Sequence, residues 1–153
     1  YSKIDPFYAH RGTAVHKAIE LYLKDKLDKD SLDEHVSPYF EAFLRFEKET
    51  EFVVEETELR IFSERLWFAG TLDLIGKIGD KKFLLDIKTG QKQKWHDIQT
   101  AGYAIGYGDE DIKRGCIYLK KNQTYQLQPH LSKIDFMVFE SMAVVYNKRG
   151  SYK

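Results

Sequence analysis

The sequence predicts an α/β fold in which a mixed β-sheet is flanked by helices, and three observations lead there. Apolar residues recur at helical spacing near the start, switch to strand-like runs between Phe52 and Lys88, and return to helical spacing twice afterwards. Gly79-Asp80 separates two β-rich runs in the manner of a two-residue hairpin loop. The segments interleave without a repeat, a low-complexity stretch or a linker, which fits a single domain over residues 1–153.

Taken in order, Tyr1–His10 shows no period, and a helix is expected from Arg11, where Val15, Ala18, Ile19, Tyr22 and Leu23 share a face. The charged stretch Lys24–Glu34 reads as a solvated helix end and loop. Ser37-Pro38 starts a second helix with proline in its first turn, and Tyr39, Phe40, Phe43, Leu44 and Phe46 give its apolar side through about Lys48. Phe52–Val54 with Leu59–Phe62, then Leu66–Ile78 and Lys81–Lys88, are rich in strand formers. Gln93–Gly106 returns to helix and stops at Gly106-Tyr107-Gly108. Arg114–Lys120 and Thr124–Gln128 form a further hairpin around Lys121-Asn122-Gln123. Ser132 caps a last helix in which Ile134, Phe136, Met137, Phe139, Met142, Val145 and Tyr146 recur, and Lys148–Lys153 reads as a frayed tail.

The 24 basic and 24 acidic residues cancel, which argues against a protein held on nucleic acid by its global charge. Charge must be read by position, because a local basic groove can still face a cluster of carboxylates. No apolar run has membrane-spanning length, and no signal peptide is visible within these residues. Cys116 stands alone, so an internal disulfide, a zinc cluster or an iron–sulfur site is excluded; its strand context reads as a buried apolar role, compatible with a cytoplasmic setting.

The chemistry concentrates on the predicted hairpin. Pairing outward from Gly79-Asp80 sets Ile78 against Lys81, then Asp73 against Asp86 and Thr71 against Lys88. Opposed side chains have Cβ atoms roughly 4.5–5.5 Å apart, a distance at which two carboxylates repel unless a cation lies between them. The strand period puts Asp86 and Lys88 on one face, and Leu72, Leu74, Phe83, Leu85 and Ile87 on the other, where a helix would cover them. Phosphodiester hydrolysis uses such groups: oxygen ligands suit Mg²⁺ or Mn²⁺, and a lysine orients water or stabilises developing negative charge. An isolated Asp-x-Lys is equally at home as a cross-strand surface ion pair.

The wider pattern carries more. Gly12-Thr13-Ala14-Val15-His16, Gly70-Thr71-Leu72-Asp73, Leu85-Asp86-Ile87-Lys88-Thr89-Gly90 and Gln99-Thr100-Ala101-Gly102-Tyr103, in this order, resemble the motifs of the PD-(D/E)XK nucleases of the RecB-like branch. The look is nearest to the phage- and recombination-associated exonucleases, and the lone Cys116 does not fit the branch with an iron–sulfur cluster. The resemblance implies a restriction-endonuclease-like core and a DNA nuclease, an exonuclease of recombination, repair or phage DNA processing, using Mg²⁺ or Mn²⁺. It also implies DNA as partner, with a recombination or helicase protein as a further one. Under it His16, Asp73 and Asp86 would be metal ligands, joined by the main-chain carbonyl of Ile87; Lys88 would be catalytic; Gln99 and Tyr103 would line the site and contact DNA. Glu58 matches an acidic position ahead of the Asp73 strand, and Thr89 and Lys92 count among the site-lining residues.

By spacing alone, Gly12 and His16 share a helix face, as do Gln99 and Tyr103, and each pair could equally be structural. The run Gln91–Trp95 reads either as a loop that neutralises phosphates and stacks a base or as a solvated helix entrance with a core tryptophan. Trp67 and Phe68 read as packing residues. Arg65, Lys120 and Lys121 are candidate phosphate contacts, and His10, His35, His96 and His130 have no ligand spacing. The competing reading is a non-catalytic nucleic-acid-binding or interaction module that keeps the fold; the presence of Asp86 and Lys88 speaks against it.

Overall fold

The computed structural model describes residues 6–150, with the side chains of 6 and 8 left aside. The parts of the two terminal readings that fall on residues 1–5 and 151–153 lie outside these described residues. In chain order the elements are α1 (Pro6–Leu23), α2 (Ser37–Thr50), β1 (Val53–Ser63), β2 (Phe68–Ile78), β3 (Lys81–Lys88), α3 (His96–Tyr107), β4 (Lys113–Leu119), β5 (Tyr125–His130) and α4 (Ile134–Gly150). The five strands form one sheet in the order β1-β2-β3-β4-β5. Its pairs are antiparallel except β3 with β4, which run parallel with α3 as the crossover. The expected mixed sheet between helices is the observed architecture.

Two apolar layers explain the order. On one face, Val15, Ala18 and Ile19 of α1 and Tyr39, Phe40, Phe43 and Phe46 of α2 pack on Leu74, Leu85, Ile87, Ile117 and Leu119. Phe40, Phe43 and Phe46 are wholly buried, and truncating any one of them would cost about 3–5 kcal/mol. On the other face, Ala104 of α3 packs with Ile61, Leu72, Ile75, Leu84 and Ile112, with Phe136 of α4 at the margin. Strand alternation thus sends Leu85 and Ile87 toward α1 and α2, and Leu84 toward α3. Asp86 and Lys88, in phase with Leu84, face α3.

Four expectations need correction. First, α1 begins at Pro6 rather than Arg11, because its first turns are solvent-facing at Phe7, Ala9 and His10 and carry no apolar stripe to read. Second, Leu72 does not share the face of Leu74; it packs on the α3 side. Residues Leu72–Gly76 are buried in succession, and in the paired strand Glu58 has φ of 51°, which breaks regular alternation there. Third, Trp67 is 70% exposed, although Phe68 does pack, edge-on to Phe139 at 4.8 Å. Fourth, the last helix turns Phe136 and Phe139 inward, but leaves Ile134, Met137, Met142, Val145 and Tyr146 exposed.

The hairpin holds to its expected register and then stops. Gly79 takes φ of 62°, and rungs run from Ile78–Lys81 to Leu74–Leu85. Beyond Leu74–Leu85 the two strands fork, so neither the expected rung of Asp73 with Asp86 nor that of Thr71 with Lys88 forms. From Phe83 onward β3 is paired with β4, and at the fork it is this partner that holds it: Asp86 lies beside Cys116 and Lys88 beside Tyr118.

Candidate active site

The fork is where the chemistry collects. Asp73, the first β2 residue past the last rung, uses its side chain where the ladder ends: Oδ2 accepts the Ile87 amide at 2.7 Å. Its other oxygen, Oδ1, lies 3.2 Å from His16 Nδ1 on α1. Flanking rungs Thr57–Leu74 and Leu59–Leu72 place Glu58 across from Asp73. One ligand atom each from His16, Glu58 and Asp73 lies within 4.8 Å of the others. Asp86 is 3% exposed and its Oδ2 sits 2.7 Å from Lys88 Nζ. This ion contact is what holds the buried Oδ2. Lys88 Nζ donates to Gln99 Oε1 at 2.8 Å, and Gln99 Nε2 donates to the Tyr103 hydroxyl at 2.9 Å.

The protonation states follow from these contacts. Burial and the adjacent Asp73 charge drive the Asp86 carboxyl up to about 7, against the opposing pull of Lys88. Burial would raise Asp73 as well, but the His16 hydrogen bond and charge outweigh it, helped by Asp86 and the Ile87 amide, and hold it below the usual range. His16 is the converse: burial lowers it, yet Asp73, Asp86 and Glu58 together hold its imidazole above its ordinary value. Burial and the charge of Asp73 raise Glu58. Three carboxyls and an imidazole therefore share excess negative charge in a poorly hydrated corner.

These groups suit a divalent cation. Mg²⁺ and Ca²⁺ take oxygen ligands at about 2.0–2.6 Å, so ligand atoms within 4.8 Å of one another can share one ion. The clustered ligand atoms are those of His16, Glu58 and Asp73, and such an ion would also relieve the repulsion between the buried Asp73 and the Asp86 carboxyl beside it. An imidazole among the oxygens extends tolerance to Mn²⁺.

Of the residues singled out in the sequence, His16, Glu58, Asp73, Asp86, Ile87, Lys88, Gln99 and Tyr103 come together in this one continuous set. Gly12 faces Thr89 across α1, where an added Cβ would lie 3.4 Å from Thr89 Oγ1, an ordinary contact. Thr89 itself accepts a hydrogen bond from Arg11 through its carbonyl at 3.1 Å. Lys92 lies apart from the carboxylates, on a groove of about 680 Å³ that Thr89 also lines. Arg65 is paired with Glu140 at 2.7 Å, away from the carboxylate set. Sequence reasoning missed a layer behind Lys88. His96 is buried against the Tyr118 hydroxyl at 2.7 Å, with its imidazole lowered to about 4 by burial, then by Lys88. Only the parallel β3–β4 register brings Tyr118 alongside Lys88, and no local pattern announces a non-local pairing.

No family model matches the sequence, and no curated protein matches it. Among solved structures, a proposed exonuclease of Eubacterium rectale is similar over 97% of this chain and 67% of that one, with a TM-score of 0.64 and 14% identity. At that identity the likeness establishes a shared fold.

Proposed function

We propose that this chain is a metal-dependent nuclease that hydrolyses DNA phosphodiester bonds. The observation that carries the reading is the buried Asp73–Asp86 pair at the fork, with Lys88 in ion contact with one of them and the imidazole of His16 with the other. The likeness to a proposed exonuclease supports the class and favours an exonuclease; a place in recombination, repair or phage DNA processing rests on the sequence motifs alone.

His16, Glu58, Asp73 and Asp86 would hold Mg²⁺ or Mn²⁺, with the Ile87 carbonyl as the main-chain candidate. The bound ion would supply charge neutralisation at the phosphate and a more acidic water. Lys88 is directed by Asp86 and Gln99, so its ammonium is held at a fixed place beside the carboxylates rather than sweeping through solvent. There it orients the attacking water or stabilises charge on the phosphate oxygens. Gln99 is a positioning residue in this scheme: it fixes Lys88 and is itself fixed by Tyr103. His16 holds Asp73 ionised, which keeps one carboxylate ready for the cation even where Asp86 retains its proton.

The test incubates the protein with linear and closed circular DNA, single- and double-stranded, in Mg²⁺, Mn²⁺ or EDTA. Loss of linear substrate in metal alone, reduced at least about a hundredfold in Lys88→Ala, is the expected result. Cleavage unchanged in Asp86→Ala would place the chemistry elsewhere. A wild type as inert as Lys88→Ala on every substrate and metal would leave a nucleic-acid-binding module.

A further inference from the structure

Positive charge is distributed unevenly on a chain whose formal charge is zero. Arg11, Lys92, Lys120 and Lys121 converge on the groove of about 680 Å³ that begins at Thr89, one residue beyond Lys88. Among the described residues that line it, none is acidic, and Tyr39 and Tyr118 contribute its aromatic walls. Acid appears in the two adjoining depressions: Glu34 beside Arg11, Tyr39 and Lys121 in one, and Asp97 and Asp135 on the far side of Lys92 in the other. The volume is that of a small organic ligand, enough for a short stretch of one strand.

An aromatic ring lies beside Lys88, the residue before the Thr89 end of the groove. Trp95 is 53% exposed, and Lys88 Nζ lies 5.5 Å from its ring centroid. Its ring is braced edge-on by His96 at 4.5 Å, and His96 in turn is held by Tyr118, a wall of the groove. A large ring kept half in solvent by a buried brace, beside a cationic channel, combines the two components of sequence-independent single-strand binding: phosphate neutralisation and base stacking. We infer that this surface binds unpaired DNA, with a base stacked on Trp95 and the adjoining phosphates running along Lys92, Lys120 and Lys121. The inference deepens the nuclease reading by naming its substrate as a single strand, or a strand parted from its complement before it reaches Lys88.

The experiment measures binding in EDTA, so that it does not depend on cleavage. A short fluorescent oligothymidylate and a blunt duplex of the same length are titrated with wild type, Trp95→Ala and the double variant Lys120→Glu/Lys121→Glu. Expected results are preference for the single strand, a loss of about tenfold or more in Trp95→Ala, and a comparable loss with a shallower salt dependence in the double variant. Trp67 lies on the α4 side of the molecule, so in Trp67→Phe the remaining tryptophan emission reports Trp95 and should be quenched by oligothymidylate; in Trp95→Phe no quenching should occur. Both substituted lysines and Trp95 are exposed, so loss of fold is not expected, and circular dichroism checks it. Equal affinity for duplex and single strand, or unchanged binding in both variants, would overturn the inference. Tight duplex binding with active cleavage would remove it while leaving the nuclease standing. Single-strand binding without cleavage would do the reverse. Tighter binding of oligouridylate than of oligothymidylate would move the ligand to RNA and also overturn it.

Discussion

At the scale of single residues, Asp86 sets the pH behaviour of the metal-free protein. Its folded carboxyl, at about 7, lies above its ordinary value of 3.8, so the folded state binds the extra proton. Stability linked to Asp86 is therefore present at low pH and is lost as pH rises from about 4 through about 7. His16 acts in the same direction: its raised imidazole contributes stability below 6.5 that disappears as pH climbs through the folded value. Asp73 opposes both, since a depressed carboxyl contributes above its ordinary value and is lost only on acidification. In EDTA, thermal unfolding should show a midpoint that falls between pH 5.5 and 8. Asp86→Asn should flatten that dependence and raise stability at pH 8 by an amount on the order of a few kcal/mol. A variant as pH-sensitive as wild type would assign the proton to another group. Counting outward from a two-residue loop brought Asp73, Asp86 and Lys88 to one place in the sequence reading, but the ladder ends at Leu74–Leu85, one step short of the counted Asp73–Asp86 rung. Glu58 was harder to place, since its position opposite Asp73 depends on a shift in the β1–β2 register between Val54 and Glu56.

At the scale of elements, the sheet depends on close backbone approaches and on one buried ion pair. A Cβ on Gly76 would run into the Val53 carbonyl and the Phe52 ring, and a strand backbone does not yield as a flexible side chain does. Gly76→Ala should cost about 1–3 kcal/mol in urea unfolding; a neutral result would show that β1 can slide. Arg114 of β4 donates to Asp135 of α4 at 2.7 Å and to the Asp97 carbonyl and Thr100 of α3. Asp135→Ala should destabilise by about 3–5 kcal/mol by leaving the buried guanidinium without its counter-charge, whereas Asp135→Asn should recover part of the loss. A full recovery would reduce Asp135 to a hydrogen-bond acceptor. Periodicity and strand-forming composition located the α-helices and strands, most securely where a buried side was present to read, as in α2 and β3. It misjudged the ends that face solvent, as at α1, and the last helix, where apolar spacing is present but α3 and the sheet edge cover only Phe136, Phe139 and their neighbours.

At the scale of the molecule, charge balance and fold cooperate. With 24 charges of each sign, no global field holds the chain on DNA, so affinity must come from the local groove, while the carboxylates would repel a phosphate until neutralised. Mn²⁺ should therefore raise the unfolding midpoint, and by more at pH 8 than at pH 6, because its ligands must shed the protons that burial and mutual charge retain. At a concentration about a hundred times the dissociation constant the gain should be about 2.7 kcal/mol. A shift independent of pH, or one that survives Asp73→Ala with Asp86→Ala, would locate the ion away from the fork. The spatial coincidence of groove, Trp95 and carboxylates was not legible beforehand: it arises from the parallel crossover that brings β4 alongside β3, and from α1 reaching back over Thr89.

The fork has one more consequence. Because the Ile87 amide is bonded to the Asp73 carboxylate, its hydrogen exchange depends on a side chain that also takes part in the proposed chemistry. Deuterium uptake at that single amide is thus a built-in gauge of the site. It should be slow in wild type, slower still with cation, and fast in Asp73→Ala, while amides along the Leu74–Leu85 hairpin keep their own pace.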